Sequence, residues 1–397
     1  MKIRKPDYLD EFKCIASECE DTCCAGWGIV IDDETHKQYL TVASEFGERL
    51  RNEIVIEGEE NIFLLKGNNC TFLNENKLCD IYKELGADSL CYTCREYPRY
   101  LEDFGNLREV GISLSCPEAA RIILGSSKKV EFELTENDEE VNSCNDINQM
   151  IYINLMKCRK VVFDILQNRN LDLKVRGALV LIFAGEIQEK IDSNEIEDIK
   201  KVKNKYSDQS FIDETIKSIE EYKGKGKGKG KGKGKGKGSG KYNNINEVFK
   251  VFRDLKHINP NDPLGLEDAL RYFWQSEDDE ELYLDIHKRF EDYYKDKSYH
   301  FEQILVYFVF KYFMKAVFDY DVLAKIKIAL VSCLMIKELA VIRYLENKEF
   351  TEEDMVDIAH TYSKDVEHLE ENIETLEEVF ETNEVFSLEE MLVTLMN

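Results

Sequence analysis

Nine of the twelve cysteines in this chain of 397 residues fall between Cys14 and Cys116, and that crowding limits what the first third of the chain can become. The spacing is Cys14-x4-Cys19-x3-Cys23-Cys24, then Cys70-x8-Cys79, then Cys91-x2-Cys94, then Cys116 immediately before Pro117. Such a set either cross-links or binds metal, and the compartment decides which. Met1 to Phe12 alternates charges with isolated apolar residues and lacks the continuous apolar core of a secretory leader, so a cytoplasmic chain is expected. In a reducing cytosol the thiols are expected to hold metal, and thiolates select soft ions such as zinc or iron in clusters. Histidine is absent from this region except for His36, which disfavours a mixed Cys/His zinc site. Neighbouring side chains in extended backbone point apart, so Cys23 and Cys24 must either sit on a tight turn or serve two centres. Nine thiols suffice for two four-ligand sites with one spare, or for one site with several structural thiols. Spacing leaves both open.

Short strand-like pieces punctuate this region at Gly28 to Ile31, Ile62 to Leu65 and Cys70 to Leu73, and Asn74 to Lys77 reads as a hairpin turn that brings Cys70 toward Cys79. It lacks the long apolar runs of a self-sufficient core, so a metal is expected to stabilise it. The aromatic neighbours Phe12, Trp27, Phe72, Tyr82, Tyr92 and Tyr97 are candidates to shield such a centre. Beyond it the periodicity turns helical. Helices are predicted from Ile147 to Ile165, Val175 to Ile191, Phe211 to Glu221, Ile245 to Leu255 and Leu266 to Gln275, with a turn at Asn259 to Gly265. Lys223 to Gly238 is eight consecutive Lys-Gly pairs; glycine at every second position cannot nucleate structure, so a flexible cationic tether is expected. Near the end Val366, Leu369, Ile373, Leu376 and Phe380 repeat at three and four residues, the seam of an intramolecular helical hairpin. The expected fold is mainly α: a small cysteine-rich, metal-stabilised N-terminal module with short β-hairpins over 1–122, a helical region over 123–222, the tether over 223–241 and a helical domain over 242–397.

Asp and Glu outnumber Lys and Arg by 79 to 53, a formal charge of −26. So acidic a chain is repelled by phosphate backbones, which argues against nucleic acid as partner and suits cationic ligands. The apolar stretches Ile304 to Phe318 and Ile328 to Ile342 are interrupted by Lys311, Lys315, Lys337 and Glu338, so they read as buried helices and no transmembrane segment is expected. Cys144, Cys158 and Cys333 lie in helical surroundings and read as buried free thiols.

The segments FKCIASECEDTCCAGWGIVID (Phe12 to Asp32), CTFLNENKLCDIY (Cys70 to Tyr82), LCYTCREYPR (Leu90 to Arg99) and LSCPEAA (Leu114 to Ala120) resemble the flagellin lysine-N-methylase (FliB-type) family. The first three also resemble the broader family named for a C-x2-C-x2-C-C signature. The resemblance implies methyl transfer from S-adenosylmethionine to lysine ε-amines of flagellin, with an iron–sulfur cluster, expected as 4Fe-4S with zinc as the alternative, held by Cys14, Cys19, Cys23, Cys24, Cys70, Cys79 and Cys94, then Cys91 and Cys116. The chain departs from the C-x3-C-x2-C loop of radical S-adenosylmethionine enzymes, because Cys24 follows Cys23 directly.

A lysine ammonium has no lone pair, so the site must accept its proton; Asp32, Asp33, Tyr92 and Tyr97 lie near the cysteines, and Arg95 and Arg99 flank Tyr97. No strand-turn-helix with G-x-G is present, so no Rossmann donor pocket is legible, and His36, His257, His287, His300, His360 and His368 are scattered without a catalytic pairing and read as structural or solvent-facing. The alternative to an enzyme is a zinc- or cluster-stabilised protein that binds a partner through its acidic helical part.

Overall fold

The architecture is that of a computed structural model, which describes residues 1–139, 147–225, 240–259, 264–276 and 279–397. Among the described residues nine strands make three small sheets. Strands β1 (Lys2–Pro6), β7 (Arg99–Phe104), β8 (Leu107–Ile112) and β9 (Phe132–Glu136) form a four-stranded sheet in the order β7-β8-β1-β9. Within it β1 runs parallel to β8 and antiparallel to β9. Between β1 and β7 lie β2 (Val30–Ile31), β3 (Ile54–Glu57), β4 (Glu60–Phe63), β5 (Leu65–Lys66) and β6 (Asn69–Cys70). The same stretch holds helices α1 (Asp33–Thr41), α2 (Glu45–Asn52), α3 (Asp80–Leu85) and α4 (Tyr92–Glu96). The expected hairpin turn is present: the Asn74 amide donates to the Leu78 carbonyl at 2.9 Å, and Leu73 pairs with Cys79.

This insertion has an apolar core of its own, contrary to the reading of the sequence. Ile29, Ile31, Tyr39, Leu50, Phe63, Phe72 and Ile81 pack together with Cys70 and Cys91. Each short element contributes one or two residues, so no long apolar run announces the core. Tyr82 and Tyr92 are not part of it; they are 58% and 47% exposed and shield nothing.

The remainder is helical: α5 (Pro117–Gly125), α6 (Gln149–Leu166), α7 (Leu173–Asp192), α8 (Ile199–Lys205), α9 (Gln209–Glu220), α10 (Lys241–Arg253), α11 (Leu266–Phe273), α12 (Asp279–Tyr294), α13 (Tyr299–Tyr312), α14 (Ala316–Asp319), α15 (Val322–Asn347), α16 (Glu352–Glu367), α17 (Glu370–Thr382) and α18 (Leu388–Met396). The two apolar stretches lie on α13 and α15, buried at the centre and packed against α7, α16, α12 and α17. No helix among the described residues is long and apolar enough to cross a membrane. The four-stranded sheet joins this core through Phe104, Ile112 and Leu114, so the ends of the first 122 residues pack with the helices while the cysteine-rich middle packs with itself.

Two expectations shift. The seam from Val366 to Phe380 is broken: α16 stops at Glu367 and α17 starts at Glu370. The Asn372 side chain donates to the Asp365 carbonyl at 3.2 Å and to the Lys256 carbonyl at 2.8 Å, giving backbone at the break partners that a continuous helix would not need. Residues 226–239, most of the expected Lys-Gly tether, lie outside the described residues, as do Cys144 and residues 260–263 of the expected turn. The tether's expected last residue, Lys241, is instead the buried first residue of α10.

The segment after α10 is pinned to α16 by Asp365, whose carboxylate meets His257 Nδ1 at 2.5 Å and accepts from the Ile258 amide at 2.8 Å. Burial opposes charge on His257, but the hydrogen bond and charge of Asp365 outweigh it and raise the imidazole above its ordinary pKa of 6.5. A raised folded-state value means the stabilisation is complete below pH about 6.5 and is lost as pH rises through the folded pKa. Urea unfolding should therefore separate the natural chain from an Asp365→Asn variant more widely at pH 5.5 than at pH 8.5. An equal or wider gap at the higher pH would refute the pairing.

Candidate functional site

The chain folds so that its four cysteine segments meet. Cys23 and Cys24 occupy a turn, and the Cys24 thiol lies close enough to raise the pKa of Cys23. The Cys24 carbonyl accepts from the Cys70 amide at 2.7 Å, and Gly26 donates to the Asn68 carbonyl at 2.8 Å, so the first segment is stitched along β6. The hairpin turn returns Cys79 beside Cys70, and Cys91, at the N-cap of α4, stands one turn from Cys94. Electrostatic contact links Cys94 to Cys24 and Cys79, Cys70 to Cys79, Cys91 and Cys23, and Cys116 to Cys19 and Cys23. Cys14 and Cys23 are exposed, Cys70 and Cys91 buried, and Cys19, Cys24, Cys79, Cys94 and Cys116 in between. Cys158 and Cys333 are buried apart from the cluster, as expected.

Burial raises the Cys70 thiol to about 11 and the Cys116 thiol to about 12, and it pushes Cys79 up as well. The adjacent Cys24 thiol raises Cys23; the Cys91 thiol, with burial, raises Cys94, and Cys94 in turn lowers Cys91. Among the described residues no three His, Cys, Asp or Glu side chains converge closely enough to form a ready-made coordination sphere. The donors are gathered but not aimed at one point. The donor chemistry, thiols alone drawn from four segments, fits a soft metal or an iron–sulfur cluster, and loading would have to release their protons.

The cysteine region docks on α16 through the residues between its thiols. Asp21, between Cys19 and Cys23, accepts from Lys364 Nζ at 2.5 Å, and the Thr22 carbonyl accepts from the same ammonium at 3.1 Å. Gly26 has φ +89°, and a Cβ there would meet Ile258 at 2.7 Å, so only glycine allows this approach. Trp27 donates to the Cys23 carbonyl at 2.9 Å and sets its ring edge-on to His368 at 4.6 Å, with Tyr97 5.8 Å from the same imidazole. From Tyr97 a polar chain runs inward: to Ser115 at 3.1 Å, to Ser113 at 2.8 Å, and through Tyr307 to Glu367 at 3.2 Å. Glu367 also accepts from Lys311 at 2.5 Å and Tyr312 at 2.8 Å.

Beside this junction lies a cleft of about 640 Å³ with Glu20, Asp21, Asp268, Glu346, Asp357 and Asp365 on its walls, against Arg343, Lys364 and His360. His360 is 6% exposed, and its Nδ1 has no hydrogen-bond partner among the described residues; the nearest carboxylate oxygen, on Asp21, is 3.9 Å away. Burial lowers the imidazole's pKa, more than Asp21 and Asp357 raise it, so the ring is neutral near pH 7 with a lone pair to offer.

The candidates near the cysteines have structural work. Asp32 caps α1 by accepting from the Thr35 amide at 2.9 Å and takes the Tyr92 amide at 2.7 Å, while Asp33 lies exposed in the first turn of that helix. Arg95 pairs with Glu96 at 3.4 Å, and Arg99 lies over the Phe12 ring. Two of the histidines read as structural or solvent-facing are tied to carboxylates, His257 to Asp365 and His287 to Glu338 at 2.7 Å. His360, Tyr307 and Glu367 were missed because nothing local marks them.

Residues 159–394, more than half of the chain, match the FliB lysine N-methylase C-terminal domain. The chain belongs to the FliB lysine N-methylase family. Among its relatives, the flagellar biosynthetic protein FliU of Salmonella muenchen is 34% identical over 136 residues, which cover 31% of this chain and 76% of FliU. The lysine-N-methylases of Salmonella typhimurium strain LT2 and Salmonella choleraesuis strain SC-B67 are each 35% identical over 130 residues. That match spans 31% of this chain and 32% of those proteins, about a third of their length. No solved structure matches. The FliB-type segment contains the second half of α6, α7 to α17 and most of α18, and therefore His360, Lys364 and Glu367, while all nine clustered cysteines lie upstream of it.

Proposed function

We propose that this chain is a protein lysine N-methyltransferase that moves a methyl group from S-adenosylmethionine to lysine ε-amines of flagellin in the cytoplasm. Membership in the lysine N-methylase family carries the reading, and the cleft supplies chemistry that agrees with it. Its carboxylates attract a lysine ammonium into an acidic chain. Partial desolvation there lowers the ammonium's affinity for its proton, and the neutral His360 accepts it at Nδ1. Asp21, 3.9 Å from that nitrogen, stabilises the imidazolium that results. The freed amine lone pair then attacks the methyl carbon as that carbon's bond to the sulfonium sulfur breaks, and S-adenosylhomocysteine leaves as the neutral thioether.

The cysteines Cys23, Cys24, Cys70, Cys79, Cys91 and Cys94 would hold an iron–sulfur cluster, with Cys14, Cys19 and Cys116 adjoining. Such a cluster, when bound, would fasten three of the four segments together and so fix Asp21 against α16.

Two measurements test this. Chain purified without oxygen should contain iron and acid-labile sulfide; zinc alone would defeat the cluster. Incubation with methyl-labelled S-adenosylmethionine and flagellin should place label on flagellin lysines. Metal-loaded chain that transfers no label would sink the enzymatic reading.

A further inference from the structure

On the far side of α15, away from the cysteine junction, a second cavity of about 610 Å³ opens between α7, α10, α12, α13 and α15. Its charges run against those of the chain. Although the protein carries −26 overall, six cations line this cavity against the four carboxylates of Asp172, Glu291, Asp296 and Glu302, and two of those carboxylates are each shared between two cations. Glu302 takes both Arg169 at 2.7 Å and Arg176 at 2.5 Å, and Glu291 takes both Lys174 at 3.1 Å and Lys337 at 2.6 Å. Lys241 adds a further cation. It is 7% exposed and lines the cavity, yet its ammonium has neither a hydrogen bond nor an ion pair among the described residues, only the Tyr283 ring at 6.0 Å. Glu338 is close enough to be felt, but His287 at 2.7 Å and Tyr283 at 3.0 Å already occupy its oxygens. Arg176 Nε is also buried without a partner.

A buried charge without a counter-charge is costly, and burial accordingly lowers the Lys241 ammonium to about 8. Lys241 opens α10 with Gly240 as its cap, which has no side chain to cap that helix end, so backbone donors add to the positive field. Phe290, Tyr294, Leu330 and Leu334 give the wall an apolar and aromatic part, and the volume lies within the range of small-molecule sites.

We propose that this cavity binds a small anionic metabolite, a phosphate or carboxylate head on a nucleoside-sized body, with Lys241 as the buried counter-charge. The inference stands on the cavity's own charges and does not require the methylation reading.

Titration calorimetry of the full chain tests it with three probes: inorganic phosphate, adenosine 5′-monophosphate and adenosine 5′-carboxylate. At least one nucleoside should bind saturably, one per chain, below about 1 mM. Tighter binding of the monophosphate assigns a phosphate head, and tighter binding of the 5′-carboxylate a carboxylate head. Lys241→Met, which keeps the volume and removes the charge, should weaken binding at least tenfold while the ligand-free variant melts no lower than the natural chain. Lys337→Gln, nearer the mouth, should weaken it several-fold and keeps the test decidable if the first variant fails to fold. Absence of saturable nucleoside binding overturns the proposal, as does unchanged affinity in Lys241→Met or, where that variant does not fold, in Lys337→Gln.

Discussion

Glu109→Ala should destabilise the chain by about 3–5 kcal/mol in denaturant unfolding, the loss expected when one partner of a buried ion pair is removed. Glu109, on β8, is 2% exposed and so is Arg159 on α6. Arg159 donates to both carboxylate oxygens, one of them at 2.7 Å, and to the Phe310 carbonyl at 3.3 Å. Arg4, opposite Glu109 in the parallel register of β1 and β8, adds a third contact at 3.0 Å. Removing the carboxylate strands a guanidinium between the sheet and the helical core, where water cannot replace what is lost. The loss should be one of context, so Arg159→Met placed on Glu109→Ala should recover a substantial part of it, because the stranded charge goes too. If Glu109→Ala unfolds within about 1 kcal/mol of the natural chain, this joint is not what holds sheet to helices.

That joint illustrates what a sequence conceals. The helices α6, α7 and α9 were legible because apolar residues recur locally at helical spacing, and each observed span lies within about two residues of the expected one at either end. The pairing of β1 with β8 joins Lys2 to Leu107 and has no local signature; it depends on which face of the sheet α6 covers. The end of α16 was misread for the same reason. Val366, Leu369 and Ile373 do keep heptad spacing, but Asn372 and Asp365 are committed to partners on the segment after α10, and those tertiary bonds outweigh the local preference for one helix.

The candidate site divides in the same way. Thiols at short spacing announce themselves because few other roles explain them, and the structure does gather the segments that carry them. His360 was indistinguishable from any histidine on a helix until α16 met Asp21, whose partner Lys364 lies 343 positions away. Lys241 looked like the last residue of a Lys-Gly repeat. Only its burial against a cavity with surplus cations separates it from its neighbours in sequence.

If the acidic cleft receives the substrate lysine, His360→Gln should lower kcat for flagellin methylation by about 10²–10³ while KM changes little, since general-base assistance contributes on this scale. Glutamine keeps the bulk and polarity of the buried ring but cannot take up a proton. Asp21→Asn should behave differently, because Asp21 both draws the ammonium in and binds Lys364. Its loss should raise KM as well as lower kcat. The pH profile separates catalysis from mere folding. Burial lowers the His360 pKa, so in the natural chain activity should rise with pH as the imidazole becomes neutral and level off near neutrality. In His360→Gln that acidic limb should vanish, leaving activity to climb only as the substrate amine itself loses its proton at alkaline pH. A His360→Gln enzyme that keeps more than about a third of its kcat and the same acidic limb would move the proton acceptor elsewhere, and the chain from Tyr97 through Ser115 and Tyr307 to Glu367 would be the next place to look.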